Sequence, residues 1–456
     1  MRLLFDRGTL VVAEAPDLDL GVVPGLTWDP RVALYRAPAS RYADVLEGLR
    51  GLGLPLMDEV RAPGAARVDA WQAVALRPYQ RAAALAWEIA EQRGIVVLPT
   101  GSGKTRVAIS VLAASGVPAL CLVPTRALLR QWLVEFERFY RGPLGCMGDG
   151  EFGVEAVTVA TFESAYRHMD RVGRDFELLI VDEVHHFGAG LRDEALEMCS
   201  ARARLGLTAT PPSEVALGRL RELVGPVVHR VGVRDLAGGW LAPFDVVVLS
   251  LPLTRSERER YAADQRLFLE ANRRVRRLHP GASWEEFAVS CAQSPEGRAA
   301  LAAFRRARRL LGFTQAKARA VRALLARHRG AKVLIFTADN ATAYAIAREH
   351  LVMPITCDIG RRERDRALQA FRTGELTTLV SARVLNEGLD VPEAEVAIIV
   401  GGTQGEREYV QRVGRLLRPA PRKRAVVYEL VTQSTSEVRR ASERRRALAA
   451  AKPVSA

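Results

Sequence analysis

Apolar residues occur in short uninterrupted runs along most of the chain, and stretches with helical periodicity separate the runs. Between residues 76 and 233 the runs read GIVVLP, PALCLVP, AVTVATF, FELLIVDEV and ARLGLTAT. Strands that are apolar throughout are typical of parallel sheets covered on both faces. A second series between about 331 and 432 reads KVLIFTA, TTLVSARV, VAIIVGG and AVVYELV. The pattern therefore predicts two α/β domains.

The segments outside these two series have other patterns. The first 65 residues alternate as short strands and then become helical in RYADVLEGLRGL, which predicts a small α+β domain. Residues 254–316 are helical and contain RRVRR and FRRARRLL. We expect four segments: an N-terminal domain at 1–65, a first α/β domain at 66–238, a linker with a basic helical insert at 239–316, and a second α/β domain at 317–456.

The basic insert predicts an amphipathic helix. On a helical wheel Phe304, Ala307 and Leu311 share one face. The opposite face is cationic and carries Arg305, Arg306 and Arg309. Such a face binds polyanions or is simply solvated.

The formal net charge of +14 is concentrated in the C-terminal half. Residues 1–240 hold 27 Lys and Arg against 29 Asp and Glu, whereas residues 241–456 hold 39 against 23. This asymmetry favours nucleic acid as a partner, because phosphate contacts and counterion release are how basic proteins bind it. Only five of the 66 cations are lysines, so a general arginine bias is the alternative explanation.

Membrane and disulfide classes are not indicated. No apolar run approaches the roughly 18 to 20 residues that a membrane span needs, and Asp6 and Arg7 interrupt the start where a signal peptide would be apolar. We expect a cytoplasmic protein without a membrane partner. The five cysteines form no C-x-x-C pair, and we expect them to be buried as small apolar residues.

The segment GIVVLPTGSGKT predicts a phosphate-binding loop, because a buried strand precedes it and the helical KTRVAISVLAAS follows. Leu98 stands where the strict G-x-x-x-x-G-K-[ST] pattern has glycine, but the phosphate-contacting centre is intact. In such loops backbone N–H groups surround the phosphates, Lys104 contacts the β and γ groups, and the Thr105 hydroxyl binds Mg²⁺. The predicted ATP-binding residues here are Thr100, Gly101, Ser102, Gly103, Lys104 and Thr105.

The segment FELLIVDEVHH predicts the matching carboxylates. Asp182 ends an apolar strand, where ligands of parallel sheets collect, and is predicted to hold Mg²⁺ together with Thr105. Glu183 is predicted to orient and deprotonate the attacking water. We interpret His185 and His186 as residues that couple this site to the neighbouring domain and not as metal ligands, since two adjacent residues rarely both reach one metal.

Two further segments contain motif-like patterns. YVQRVGRLLRP places Arg412, Arg415 and Arg418 on one side of a helix in the second α/β series, where arginines can act as fingers on the γ-phosphate. A surface charge cluster is the alternative. GDGEFG at 148–153 matches G-x-G-x-x-G in composition only, and we expect a loop there that follows no strand and binds no cofactor.

Taken in order, these stretches resemble the motif set of superfamily 2 helicases over residues 76–419. LRPYQ, LPTGSGKT, VPTRALLRQW, VDEVHH, LGLTAT, VLIFTA, VLNEGLDVP and QRVGRLLRP correspond to its motifs, with VDEVHH of the DEAH-like type. The resemblance implies two RecA-like domains, ATP with Mg²⁺, and adenine recognition by Gln80. It also implies Gly388 and Asp390 near the nucleotide and Arg415 and Arg418 as fingers. The implied nucleic-acid contacts are Thr125, Arg126 and Thr161.

A closer resemblance is to the XPB-type DNA repair helicases of compact archaeal and bacterial form. It rests on FDRGTLVV and WDPRVALYRAPASRYADVLEGL, on FRTGELTTLVSARVLNEGLDVPEAEVAIIVGG, and on the insert after residue 253, where that family has a thumb. It implies a damage-recognition-like N-terminal domain and a 3′ to 5′ helicase or translocase on single strands and duplex junctions, expected as a monomer with a nuclease partner left open.

One departure from the family matters. An Arg-Glu-Asp triplet follows the third motif in the family, but this chain reads TATPPSEVALG and retains at most Glu214. Translocation is therefore better supported than strand separation. A double-strand translocase or restriction-type motor subunit, an RNA helicase, and a clamp without ATPase activity remain as alternatives.

Overall fold

The computed structural model describes residues 1–15, 18–61, 68–190, 192–210, 212–236, 240, 244–281, 283–382, 394–401 and 425–449. The chain divides into two compact units near residue 235. Among the described residues, no helix combines the length and apolarity that crossing a membrane requires.

The first unit begins with a small α+β domain. Its elements are β1 (Arg2–Asp6), β2 (Thr9–Ala13), β3 (Thr27–Asp29), β4 (Leu34–Pro38), α1 (Tyr42–Gly51) and β5 (Met57–Glu59). The sheet order is β3-β4-β2-β1-β5, in which only β1 and β5 run parallel. The apolar face of α1 packs on this sheet. Arg61 ties the domain to the next one, because its guanidinium lies 3.0 Å from Glu177 Oε2 and donates to the Ser200 carbonyl at 3.0 Å.

The first α/β domain contains an eight-stranded sheet with helices on both faces. Its elements are α2 (Pro78–Ile89), β6 (Arg93–Val97), α3 (Lys104–Ser115), β7 (Ala119–Val123), α4 (Arg126–Phe139), β8 (Leu144–Gly148), β9 (Glu151–Gly153), β10 (Val157–Thr161), α5 (Phe162–Val172), β11 (Leu178–Asp182), α6 (Glu194–Glu197), β12 (Ala203–Thr208), α7 (Glu214–Leu223), β13 (Val227–Arg230) and α8 (Val233–Leu236). The strand order is β13-β6-β12-β11-β7-β10-β8-β9.

Both faces of this sheet are buried, as its continuous apolar strands predict. In β6, Val96 lies in one hydrophobic core while Ile95 and Val97 lie in the core on the other face. All pairs in the sheet are parallel except β8 with β9. The expectation that 148–153 is a loop following no strand is wrong, since β8 ends at Gly148 and forms a hairpin with β9.

The second unit contains a six-stranded, all-parallel sheet of order β14-β19-β18-β15-β17-β16. Its elements are β14 (Phe244–Leu251), α9 (Arg255–Leu278), α10 (Trp284–Ala292), α11 (Pro295–Gly312), α12 (Gln315–Arg327), β15 (Val333–Thr337), α13 (Asn340–His350), β16 (Met353–Ile355), α14 (Arg361–Thr373), β17 (Thr378–Ala382), β18 (Val396–Ile399), β19 (Ala425–Thr432) and α15 (Ser436–Ala449).

The predicted fold class, two parallel α/β domains with a small α+β domain and a helical insert, is confirmed. The predicted domain limits stay predictions, and one detail differs. Within 239–316, expected to hold only a linker and the insert, β14 pairs with β19 along its full length, from Phe244 opposite Ala425 to Leu251 opposite Thr432. Of the cysteines, Cys357 is exposed and the other four are buried, so the expectation of burial is wrong for Cys357.

Helices α9, α10 and α11 form the helical insert. The amphipathic pattern of α11 is confirmed, since Ala307 and Leu311 are buried while Arg305 and Arg309 are exposed. Arg306 is also exposed but lies 2.6 Å from Asp264 Oδ1 on α9. The cationic face is therefore partly neutralised at that one position.

The base of the insert is fixed to the second sheet by buried polar contacts. Glu257 at the start of α9 accepts a hydrogen bond from the backbone N–H of Gln315 at 2.9 Å. Lys317, which has no exposed surface, donates to the Leu311 carbonyl at 2.7 Å and to Glu437 at 2.8 Å. Both ends of the insert are thereby held at α12 and α15.

Arg204 on β12 is a buried cation without a carboxylate partner among the described residues. Its guanidinium donates to the carbonyls of Leu196, Cys199, Ala201 and Leu223. Burial lowers the pKa of Arg204 to about 10. The side chain thus joins the end of α7 to the α6 region beneath the sheet.

We predict that Arg204→Met destabilises the first unit. Four buried carbonyls would lose their donor, and each unsatisfied buried acceptor costs about 1 kcal/mol. The total of about 4 kcal/mol corresponds to a Tm fall of roughly 8 to 16 °C for a unit of this size. Thermal unfolding monitored by circular dichroism measures it, with Arg202→Met at an exposed neighbouring position as the control. An equal Tm for the two variants would contradict the assignment.

Candidate active site

The phosphate-binding loop joins β6 to α3. Gly101 and Gly103 have φ of 81° and 82°, in the left-handed region that glycine adopts without strain. Space also requires glycine at 103, because a Cβ there would lie 2.5 Å from Nε2 of Gln80. The loop leads into the N-terminus of α3 at Lys104. Backbone N–H groups and the helix dipole attract anions at such a position.

Gln80 supports this loop from α2. Its side chain is buried, Nε2 donates to the Ser102 carbonyl at 2.7 Å, and Oε1 accepts from the Arg77 backbone N–H at 2.9 Å. The Tyr79 hydroxyl donates to the same Ser102 carbonyl at 2.6 Å. Gln80 therefore fixes the loop conformation, and its predicted contact with adenine stays a prediction.

Three neighbouring strands bring the predicted catalytic residues to one edge of the sheet. β6, β12 and β11 are adjacent and parallel, so their carboxyl ends lie side by side. The phosphate loop follows β6, Thr210 follows β12, and Asp182 ends β11. Lys104 is close enough to act on the charges of both carboxylates at the end of β11.

Asp182 is held in a fixed orientation. The Trp132 indole N–H donates to Oδ2 at 2.9 Å, and the Glu183 backbone N–H donates to Oδ1 at 3.0 Å. Burial, followed by the negative charge of Glu183, raises the pKa of Asp182, although Lys104 and the Trp132 indole act in the opposite direction. A carboxylate whose ionised form is costly without a nearby cation suits a cation-binding position.

Glu183 has a strained backbone, with φ of 50° in the left-handed region. Its Oε2 lies 3.3 Å from Nδ1 of His185, without hydrogen-bond geometry. Burial alone would raise the pKa of Glu183, but His185, Lys104 and His186 outweigh burial and lower it. An ionised carboxylate aimed from the strand end can accept a proton from water.

The donor and acceptor set fits a nucleotide with Mg²⁺. Three buried side-chain oxygens in these loops lack a hydrogen-bond partner within the described residues, namely Thr100 Oγ1, Thr210 Oγ1 and Glu183 Oε2. Buried polar atoms are rarely left unpaired unless a ligand, ion or water satisfies them. Their position beside a positively polarised helix N-terminus and Lys104 fits a triphosphate.

His185 links the carboxylate strand to its neighbour. Its Nδ1 lies 2.9 Å from Thr208 Oγ1 at the end of β12, and Thr208 Oγ1 also contacts the backbone of Thr210. His186 stacks on His185 with ring centroids 4.5 Å apart. The two histidines thus connect the catalytic loop to the next strand end, and their predicted coupling to the other domain stays a prediction.

The predicted nucleic-acid contacts of the first unit lie at helix N-termini. Thr125 caps α4 by accepting from the Leu128 N–H, and Arg126 is the exposed first residue of that helix. Thr161 caps α5, is almost fully buried, and its hydroxyl already bonds Ser164. A contact through the α5 N-terminus is therefore better supported than one through the Thr161 hydroxyl.

The remaining predicted site residues divide into two groups. Arg305 and Arg309 are exposed on the insert of the second unit, with Arg306 paired to Asp264. The others lie outside the described residues, and these are Gly388, Asp390, Arg412, Arg415 and Arg418.

Two contributors were missed by reasoning from the sequence. Trp132 contacts Asp182 across 50 positions of sequence. Asp149, at the tip of the β8–β9 hairpin, lies 3.8 Å from Arg126 and 3.2 Å from Arg130. The i, i+3, i+7 stripe of Leu129, Trp132 and Phe136 could have shown that Trp132 is buried, but not which acceptor it uses.

The fold and site together define a class, the P-loop nucleoside triphosphatases built from two RecA-like domains. Residues 73–213 match the family described as type III restriction enzyme, res subunit, and residues 316–420 match the helicase conserved C-terminal domain. Residues 3–60 match the Xeroderma pigmentosum group B helicase damage recognition domain.

Similar proteins identify the family. The DNA 3'-5' translocase XPB2 of Sulfurisphaera tokodaii is 34% identical over 92% of this chain and 96% of its own length. The DNA 3'-5' helicase XPB of Mycobacterium tuberculosis, a longer protein, is 32% identical over 84% of this chain and 64% of its own length. The crystal structure of the Pyrococcus furiosus Hef helicase domain matches 81% of this chain and 98% of its own with a TM-score of 0.54 and 17% identity, a likeness of fold. The chain belongs to the XPB family of superfamily 2 helicases and translocases.

We predict that Glu183→Gln retains ATP binding and abolishes most hydrolysis. The amide keeps the size of the side chain but cannot accept a proton, and loss of a general base costs about 100-fold or more. Phosphate release and nucleotide titration measure the two properties, with Glu222→Gln on the surface of α7 as the control. Hydrolysis near the wild-type rate would contradict the role of Glu183 as base.

Proposed function

We propose that this protein is an ATP-dependent 3′ to 5′ DNA translocase and helicase of the XPB type that acts in DNA repair. The observation that carries the proposal is that the phosphate loop after β6 and the carboxylates Asp182 and Glu183 at the end of β11 lie at the same edge of the sheet, with only β12 between the two strands. The family membership of the chain supports DNA as the substrate, and the damage-recognition match at residues 3–60 supports repair.

Each site residue has a proposed role in hydrolysis. Thr100 to Thr105 surround the phosphates, with Lys104 on the β and γ groups, and Gln80 reads the adenine while it fixes the loop. Thr105 and Asp182 hold Mg²⁺, which neutralises charge on the phosphate oxygens. Glu183 orients the attacking water and takes its proton, and its lowered pKa keeps it ionised for that step.

The second RecA-like domain completes the proposed mechanism. Arg415 and Arg418 stabilise charge on the γ-phosphate as fingers, and Gly388 and Asp390 lie near the nucleotide. These four assignments rest on the match of residues 316–420 to the helicase C-terminal domain. Hydrolysis then drives movement of the protein along DNA.

DNA contacts are proposed in both units. Thr125, Arg126 and the N-terminus of α5 near Thr161 bind backbone phosphates, because helix N-termini and arginines attract phosphate oxygens. The insert at 254–316 carries 13 arginines against seven carboxylates and grips the duplex or its junction with single strands. Arg305 and Arg309 contribute more than Arg306, whose charge Asp264 partly neutralises.

A second candidate function is translocation on duplex DNA without strand separation. It is favoured by the departure at TATPPSEVALG, where Glu214 is an exposed residue in the first turn of α7, and by the match to a restriction-enzyme subunit. Strand displacement on a 3′-tailed duplex, run beside a translocation assay, separates the two functions. A monomer, a cytoplasmic location and a nuclease partner stay predictions.

We predict that DNA raises ATP turnover several-fold. Turnover is to be measured in parallel with single-stranded DNA, duplex DNA, damaged duplex and RNA, because backbone-gripping motors respond to phosphate geometry. A larger response to RNA would shift the substrate assignment. Unchanged turnover with all four would favour a clamp instead of a motor.

We predict that the double variant Arg305→Glu with Arg309→Glu weakens DNA binding and flattens its salt dependence. Each lost phosphate contact lowers the slope of log Kd against log salt by about one. Fluorescence anisotropy at several salt concentrations measures the slope. The matched control is Arg319→Glu with Arg327→Glu, an equal charge change on exposed positions of α12. Equal slopes for both double variants would mean that the insert acts only through net charge.

A further inference from the structure

Helix α4 carries two functional positions, one at its N-terminus and one near its middle. Thr125 and Arg126, the proposed DNA contacts, lie at its N-terminus. Trp132, six residues later, lies about 9 Å further along the axis and donates its indole N–H to Asp182. The helix therefore spans directly from the DNA side of the domain to the carboxylate proposed to hold Mg²⁺.

The contact between Trp132 and Asp182 is buried on both sides. Trp132 is 1% exposed and Asp182 is 6% exposed. Among the described residues, the hydrogen-bond donors to this carboxylate are the Trp132 indole and the Glu183 backbone, one on each oxygen. Trp132 is thus the side chain that fixes the rotation of the carboxylate and leaves its remaining lone pairs for a cation.

Trp87, in the same domain, is an example of a buried indole in a purely structural role. Trp87 is also buried and donates its N–H at 2.8 Å, but to the backbone carbonyl of Arg204. Any buried indole needs an acceptor, and a carbonyl is sufficient for packing. The use of the catalytic carboxylate by Trp132 instead ties its position to the chemistry.

The N-terminal end of α4 is held by ion pairs that a phosphate would compete with. Arg126 lies 3.8 Å from Asp149 and is largely exposed, and Arg130 one turn later lies 3.2 Å from the same carboxylate. A DNA phosphate at Arg126 would compete with Asp149 for the same guanidinium, next to the Arg130 pair that joins α4 to the β8–β9 hairpin. Packing of Trp132 against Phe136, with ring centroids 5.4 Å apart, makes the indole move with the helix.

We propose that Trp132 is a positioning residue that fixes Asp182 for Mg²⁺ and, through α4, makes ATP hydrolysis respond to DNA at Arg126. This inference rests on the proposed function. It adds a connection within the first unit that does not depend on the second domain. Loss of a hydrogen bond to a metal-binding carboxylate lowers metal affinity or activity by about 10-fold to 100-fold.

The test compares Trp132→Phe with Trp87→Phe. Each variant loses one buried indole N–H of similar geometry. Binding of a non-hydrolysable ATP analogue is titrated calorimetrically with Mg²⁺ and with EDTA, and kcat and KM for ATP are measured with and without single-stranded DNA. We expect Trp132→Phe to lose about 10-fold in the Mg²⁺-dependent part of the affinity and most of the DNA stimulation of kcat. Trp87→Phe should lower only the Tm.

If Trp132→Phe does not fold, a measurement on the wild-type protein tests the same inference. The chain has six tryptophans, so the ¹H–¹⁵N spectrum of their indole groups is simple. The Trp132 signal, identified by its shift in Asp182→Asn, should move on addition of single-stranded DNA without nucleotide and again with Mg²⁺ and the analogue. The Trp87 signal should stay in place.

Several outcomes would overturn the inference. Equal losses in the two tryptophan variants would mean a packing role, and unchanged Mg²⁺ dependence in Trp132→Phe would remove the link to the metal site. A Trp132 signal that ignores DNA would remove the link through α4. Failure of the proposed function is distinct, because the wild-type protein itself would then show no DNA-stimulated ATPase.

Discussion

The parallel alignment of β6, β12 and β11 is the constraint on which the catalytic chemistry depends. A sheet covered on both faces can hide its apolar strands, but it leaves the strand ends as the place where polar groups meet. Here that edge collects a helix N-terminus, a lysine and two adjacent carboxylates within one buried region. Two carboxylates so close together repel each other and are costly to bury, so the cationic and hydrogen-bonding groups around them are required by electrostatics as much as by catalysis.

The parts of the fold that could be predicted from sequence are those specified locally. The phosphate loop, the carboxylate strand and the amphipathic α11 each occupy a continuous stretch in which periodicity or glycine placement is sufficient. The β8–β9 hairpin was missed because LGCMG is short and glycine-rich and does not have the pattern of a strand. The role of β14 was missed because each of its residues pairs with a residue of β19 that lies 181 positions later in the sequence.

The functional details that could not be predicted all depend on contacts between distant segments. The acceptor of the Trp132 indole, the ion pairs of Asp149 and the neutralisation of Arg306 by Asp264 are properties of the folded chain. Thr161 is a different case, because its contact is local. The sequence motif predicts that it touches nucleic acid, and in the fold its hydroxyl caps α5 by accepting from the Ser164 N–H. The N-terminal domain and the insert also differ in net charge. Residues 1–61 hold seven cations against nine carboxylates, whereas the insert at 254–316 holds 13 against seven.

The anchoring of the helical insert has a mechanical consequence. The insert is joined to the edge strand β14, held at α12 by Glu257, and locked by the Lys317–Glu437 pair. These contacts join both ends of the insert to α12 and α15, so the insert should follow the second sheet as one rigid piece. If the second sheet rotates, the far end of α9 would therefore move further than its base. The 24-residue length of α9 sets the ratio between the two displacements.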